Sequence, residues 1–240
     1  MIGANLLAVF AHPDDETFRC GGTLALLAQR GVRVQVLTAT RGQAGLRGDP
    51  PLCAPEELPA VREAELRCAC KALGLQPPIL LDYLDGQLAE ADPETLTAEI
   101  LGVVRQLRPH IMLTFGADGL SGHPDHIAIG LAATEAFRRV EDVPALYTPA
   151  VPRSLAETLG MKQIRAVPDE AIALTVDVSS VWESKISAIR CHRTQLGGSP
   201  ILDAPEARQR LFLGTEHFCL AASRPAPDGK FANLLEWLEN

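Results

Sequence analysis

Six consecutive apolar residues, Leu6-Leu7-Ala8-Val9-Phe10-Ala11, stand between Asn5 and His12. A strand with one wet face alternates apolar and polar side chains. A strand that does not alternate is buried on both faces, which is the condition of a parallel sheet covered by helices. The next segments of the chain fit that condition. Residues 21–30 have helical spacing and stop at Gly31, which suits the position just past a helix end. Residues 32–38 are a second, β-branched strand. A helix over 58–73, with Leu58, Val61, Cys68, Ala69, Ala72 and Leu73 as its apolar side, then a strand over 79–81, continue the alternation. A helix over 94–107, a strand over 111–115 and a helix over 124–139 complete it, with Pro124 in the first turn where proline is favoured. Beyond Val140 the pattern weakens to a strand-like 171–176 and a helix around 181–190. Repeating βα units of this kind predict one α/β domain over residues 1–240, its sheet mostly parallel and flanked by helices. The glycine- and proline-rich stretch 40–59 reads as a loop long enough to rim a site. Residues 143–159 read as a second variable loop.

Composition narrows the function. With 22 basic against 30 acidic side chains the net charge is −8. That argues against nucleic acid as a partner, since binding it requires a basic face that neutralises phosphates. The apolar stretch at the N-terminus ends at His12 and has no basic residues before it, so neither a signal peptide nor a membrane span is expected there. The six cysteines (Cys20, Cys53, Cys68, Cys70, Cys191 and Cys219) contain no C-x-x-C pair. A dispersed set predicts reduced, mostly buried thiols and a cytoplasmic protein. Gly21-Gly22 and the glycines at 42–48 do not make the dinucleotide fingerprint, and Ser121 and Ser199 lack a nucleophile elbow. Trp182 and Trp237 read as packing residues.

Two segments carry chemistry, each in a loop just after an expected strand: His12-Pro13-Asp14-Asp15-Glu16 and His123-Pro124-Asp125-His126. Ligands of open parallel sheets sit outside the carboxyl ends of the strands, so both loops belong to the functional edge. Imidazole with carboxylate and no nearby cysteine suits Zn²⁺ or another divalent transition metal. A catalytic zinc takes three protein ligands and leaves a position open for water, and the two segments supply three ligands with acid and base groups to spare.

The paired motifs resemble those of the LmbE-like (PIG-L) zinc-dependent N-acetylglucosamine deacetylases. Thr40-Arg41-Gly42, Arg62-Glu63-Ala64-Glu65 with Leu73-Gly74, and Leu84-Asp85-Gly86 extend the resemblance, and Lys185, His192 and Gln195 echo a tail motif. Where such chains often have an aromatic residue two positions before the second motif, this one has Ser121.

The resemblance implies a single Rossmann-like domain that hydrolyses an N-acetyl group from a glucosamine-type substrate. It makes His12, Asp15 and His126 the metal ligands and Asp14 the general base. His123 would stabilise the oxyanion or protonate the leaving amine, with Asp125 orienting it. Arg62 and Asp85 match sugar-binding positions; read without the resemblance, they are a helix-surface ion-pair residue and a turn aspartate. The partner expected is a small N-acetylated sugar, with no membrane span and with room for a homo-oligomer. Two rival readings are a metal-dependent amidase of a non-sugar acyl amine and a non-catalytic sugar- or metal-binding protein of the same fold. Selectivity is expected to lie in loops 44–59 and 143–159.

Overall fold

The computed structural model describes residues 3–197, 201–225 and Leu234. Ser199 and Trp237 lie outside them. The strands are β1 (Asn5–Phe10), β2 (Arg33–Thr40), β3 (Ile79–Tyr83), β4 (Ile111–Thr114), β5 (Ala145–Ala150), β6 (Leu174–Asp177) and β7 (Thr215–Ser223). The helices are α1 (Asp15–Phe18), α2 (Gly21–Gln29), α3 (Leu58–Ala72), α4 (Pro93–Leu107), α5 (Gly119–Gly122), α6 (Pro124–Arg138), α7 (Arg153–Leu159), α8 (Trp182–Cys191) and α9 (Glu206–Leu213). One sheet takes all seven strands in the order β3-β2-β1-β4-β5-β7-β6. The first five pair in parallel, and β7 runs antiparallel to both β5 and β6. The mixed α/β domain expected from the alternating pattern is therefore present, with its antiparallel strands confined to one edge.

The non-alternating run from Leu6 is explained by its place. β1 lies between β2 and β4, and Leu6 to Phe10 are all buried. From β1 the chain moves outward to β2 and β3, whereas β4, on the other side of β1, leads outward to β5. Connections leave the carboxyl ends of β1 and β4 in opposite directions, which opens the crevice where such sheets bind ligands. The first motif follows the end of β1 at once, and the second follows β4 after the short helix α5.

Three expectations are corrected. Residues 143–159 are not a loop: they hold β5, buried throughout, and α7. Pro149 within Ala145–Ala150 hides the strand from a reading by pattern. It is tolerated because β4 pairs only with Ala145, Leu146 and Tyr147, so at Pro149 no ladder exists on that side. The buried face of α3 is Leu58, Arg62, Glu65, Leu66, Ala69 and Cys70, and Cys68 lies on the exposed side. Two polar residues are inside because they serve the functional edge of the sheet. The cysteines are not all reduced either. Cys68 on α3 is disulfide-bonded to Cys191 at the end of α8, with Cα atoms 5.7 Å apart, because these two helices pack together. The pairing removes the support that the cysteine pattern lent to a cytoplasmic setting. Trp182 packs with Ile186, Ile189 and Leu213, as expected.

A buried ion pair ties the antiparallel edge to α2. Lys185 Nζ, fully enclosed, donates to the Glu216 carboxylate at 2.7 Å and to the Leu213 carbonyl at 2.6 Å. Glu216 also accepts the backbone N–H groups of Gly22 and Thr23 at 2.8 and 2.7 Å, satisfying donors that the first turn of α2 would leave orphaned. Removing one partner of a buried pair leaves an uncompensated charge. Lys185→Met should therefore lower the unfolding free energy in urea at pH 7 by about 3–5 kcal/mol. A loss under about 1 kcal/mol, the worth of an exposed pair, would place this pair in water. Titration of the denatured, unreduced chain should find thiols at Cys20, Cys53, Cys70 and Cys219 only. Six reactive thiols would return Cys68 and Cys191 to the reduced state.

Candidate active site and metal centre

His12 comes immediately after Ala11 at the end of β1 and is buried at the crevice. Asp15, in the first turn of α1, turns back on it: its Oδ2 accepts the backbone N–H groups of Ala11 and His12 at 3.2 and 2.8 Å. His126 enters from the first turn of α6. The Nδ1 of His12 lies 3.2 Å from Nε2 of His126 and 3.7 Å from Oδ2 of Asp15, and Nε2 of His126 lies 3.2 Å from Oδ1 of Asp15. The opposite nitrogen of each ring is occupied. His12 Nε2 donates to Asp85 at 3.0 Å and to Asp125 at 3.1 Å, and His126 Nδ1 donates to the Gly119 carbonyl at 3.1 Å. Those partners assign the tautomers and leave lone pairs on His12 Nδ1 and His126 Nε2. With both rings neutral, two imidazole lone pairs and a carboxylate oxygen thus face one another. Tetrahedral zinc with Zn–N of ~2.0–2.1 Å sets its ligands ~3.3 Å apart, so the separations fit a divalent cation held by these three residues.

The local charges agree. Burial works against a charged His12, but hydrogen bonds to Asp125 and Asp85 and the charge of Asp15 outweigh it and hold its pKa at about 10. His126 is moved up in the same way: burial opposes, and the charge and hydrogen bond of Asp15 prevail. Burial would raise Asp15, yet His126 and His12 pull it down to about 2. The pocket between the three residues favours positive charge.

Asp14 is held apart from them. Its backbone is left-handed, with φ 114°, a conformation that costs a non-glycine residue about 1–3 kcal/mol and persists only where its surroundings impose it. The side chain is 24% exposed, against 8% for Asp15, and its contact is Arg62 at 3.3 Å. Burial outweighs that arginine and raises the Asp14 carboxyl to about 6. Arg62 is no surface residue. It is buried on α3 and donates to the Gly42 carbonyl at 2.8 Å and to the Pro13 carbonyl. Gly42 has to be glycine, since a Cβ there would stand 2.0 Å from the guanidinium. Asp85, in the turn after β3, accepts from His12 and from the Ala44 backbone N–H at 3.0 Å, and lies 3.8 Å from Arg62.

Asp125 differs from its expected role. Its carboxylate, fully buried, accepts from His12 Nε2 and from the backbone N–H groups of Gly86 at 2.7 Å and Leu88 at 3.1 Å. Its side chain bonds the ring of His12 and not that of His123. The ring of His123 instead accepts, at Nδ1, the backbone N–H of Asp125 at 3.2 Å, as the N-cap of α6. That leaves Nε2 as its donor. Burial and then the neighbouring His12 and His126 lower its pKa, so the ring works as a neutral imidazole. Ligand atoms of His12, His123 and Asp125 also cluster, but the carboxylate of Asp125 is already spent on three N–H donors.

Motif reading assigned no role to several residues that complete the site. Phe115 stacks on His126 with ring centroids 4.1 Å apart and planes within 6°. Glu65 accepts the Thr194 N–H and hydroxyl at 2.8 and 2.6 Å. Glu16 meets His192 at 2.7 Å, both fully buried. Glu65, Glu16 and His192 lie inside the sequence motifs, so a signal existed; Phe115 ends an apolar run and has none.

Second-sphere carboxylates typically change metal affinity ~10–100-fold when lost. Asp125→Asn should weaken zinc binding by that factor in competition with a chromogenic chelator. Unchanged affinity with a reduced kcat would restore the expected link between Asp125 and His123.

The model of the family described as GlcNAc-PI de-N-acetylase (PIG-L) matches residues 7–137, from β1 through α6, a stretch that contains both motifs. The chain is similar to the 1D-myo-inositol 2-acetamido-2-deoxy-α-D-glucopyranoside deacetylase of Acidothermus cellulolyticus, at 33% identity over 96% of this chain and 94% of the relative. Among solved structures it resembles the N,N'-diacetylchitobiose deacetylase of Pyrococcus horikoshii, with TM-score 0.70, 21% identity, and coverage of 90% of this chain and 83% of the other. It also resembles the 4-carboxy-2-hydroxymuconate hydratase of Pseudomonas putida, with TM-score 0.67, 21% identity, and coverage of 92% and 97%. At that identity the two structures speak for the fold alone, and one of them names a different reaction. The family match over more than half of the chain and the 33% identical relative place the chain in the GlcNAc-PI de-N-acetylase (PIG-L) family.

Proposed function

We propose that the protein is a zinc-dependent hydrolase that removes the N-acetyl group of a glucosamine-type substrate, releasing acetate and a free amine. The observation that carries this reading is the convergence of His12 Nδ1, His126 Nε2 and Asp15 Oδ1 beside a fourth group, Asp14, that is not one of them. Family membership supports de-N-acetylation as the reaction. The name of the Acidothermus relative supports an N-acetylglucosaminyl substrate.

His12, Asp15 and His126 would hold the zinc, which would supply a Lewis acid for the acetyl carbonyl and lower the pKa of water to about 7. Asp14, ionised and quarter-exposed, accepts the proton of the attacking water as its oxygen bonds to the acetyl carbon. His123 donates Nε2–H to the oxygen on which charge develops. The C–N bond then breaks, and the amine nitrogen takes up the proton that Asp14 accepted from the water. Arg62 and Asp85 stand as sugar contacts at the edge of this site, while also fixing Gly42, Pro13 and His12. No described helix is long and apolar enough to cross a membrane.

Acetate release from a panel of N-acetyl sugars and acyl amino acids tests the proposal. Activity should vanish with chelator, return with zinc, and favour the sugars. Asp14→Asn should keep its zinc and lose ~10²–10⁴-fold in kcat. His123→Ala should also keep its metal and lose ~10²–10³-fold. Preference for the acyl amino acids would establish the non-sugar amidase. Near-normal turnover of zinc-loaded Asp14→Asn would place the base elsewhere.

A further inference from the structure

The turn that carries Asp14 is held from a residue 176 positions beyond Glu16. The Glu16 carboxylate is fully buried and divides its two oxygens. Oε2 accepts the backbone N–H of Asp14 at 3.0 Å, and Oε1 meets Nε2 of His192 at 2.7 Å, with the Thr17 hydroxyl donating to the same oxygen. His192 comes directly after α8 and is fully buried, and its Nδ1 has no hydrogen-bond partner among the described residues. The ring therefore acts through Nε2 alone.

The turn after α8 grips the rest of the rim as well. Thr194 bonds Glu65 on α3, three residues past Arg62, and its carbonyl accepts the Gly48 N–H at 2.8 Å. The Gln195 side chain donates to the Leu46 carbonyl at 2.7 Å and accepts the Leu46 N–H at 3.2 Å. One short segment thus touches the α1 turn, the helix bearing Arg62 and the loop bearing Gly42. Of these contacts, only the one through Glu16 reaches the backbone of Asp14, the residue held at positive φ.

We propose that His192 is a positioning residue for the base: through Glu16 it fixes the left-handed backbone of Asp14, so that this carboxylate stands beside the metal ligands without joining them. The proposal rests on the reading of Asp14 as the base. A donor at the position of Nε2 is all that it requires. Glutamine can supply one, whereas phenylalanine fills the space without a donor, and the amide of asparagine stops near the place of Nδ1.

The test compares His192→Gln, His192→Phe and His192→Asn as zinc-loaded proteins with cooperative melts. His192→Phe should lose ~10–100-fold in kcat with full zinc content. Its KM should stay within about twofold, as expected when no ground-state contact is lost. His192→Gln should recover most of the rate. His192→Asn should behave as His192→Phe does and serves if the larger ring disturbs folding. In an Asp14→Asn background the Phe substitution should cost nothing further, because the group it positions is already gone. Hydrogen exchange at the Asp14 amide should accelerate in the Phe and Asn variants and stay slow in Gln. This readout needs no substrate, so it stands even if the assigned reaction is wrong. Additive losses in the double variant, zinc loss in the Phe variant, unchanged Asp14 exchange, or a Gln variant as slow as Phe would each overturn the proposal.

Discussion

Two imidazole nitrogens and a carboxylate converging on one point are the constraint around which this protein is arranged. Without a cation, protons on His12 and His126 hold these groups together against Asp15. Buried polar groups are tolerated only when they are satisfied. A cation at the same point would replace those protons, and the far side of each ring is already fixed: Asp125 and Asp85 take the far nitrogen of His12, and the Gly119 carbonyl takes that of His126. Rotation of either ring would sacrifice one of those bonds, so the tautomers are set by the second sphere.

That second sphere explains why the chain needs a parallel sheet with a switch in strand order. His12 comes from the end of β1, Asp85 from the turn after β3, and Asp125 and His126 from the helix after β4. These elements are far apart in sequence, and β1 lies beside β4 with its neighbour β2 next to β3. Only parallel strands bring all of their carboxyl ends to one edge. The Lys185–Glu216 pair serves the same geometry from outside. It anchors the first turn of α2, which comes directly after the α1 turn that carries Asp15.

Legibility in the sequence came from contiguity. Strands β1 and β4 were legible because burial on both faces leaves uninterrupted apolar runs, and the candidate metal site because its residues fall in two short motifs. Pro149 concealed β5, since a strand-breaking residue is tolerated only where the neighbouring strand has ended, and that ending is a property of the pairing. Apolar periodicity misjudged α3, because Arg62 and Glu65 on its inner face serve the site by hydrogen bonds. The Cys68–Cys191 pair spans 123 residues and depends on the packing of α3 against α8, which no local pattern encodes. The expected pairing of Asp125 with His123 differs from the geometry, in which the Asp125 carboxylate meets His12. Proximity in sequence favoured His123, whereas the helical turn directs its carboxylate to His12.

Asp14 and Asp15 show how adjacent carboxylates can take opposite tasks. Both are in a low-dielectric pocket, and burial alone would raise both. Asp15 escapes because two backbone N–H groups and two imidazoles surround it, so it stays an anion suited to bind metal. Asp14 has one guanidinium and partial access to water, and its carboxyl is raised toward neutrality. A pair of groups whose environments drive their proton affinities apart can divide ligand and base between them. The division depends on the backbone at Asp14. In a continuous right-handed turn, successive side chains would point about 100° apart around one axis. Positive φ at Asp14 breaks that progression, so the direction of its carboxylate is set independently of Asp15. The strain at this residue is therefore the means by which two neighbours in sequence become distinct in chemistry, and the buried Glu16–His192 contact lies where that strain has to be held.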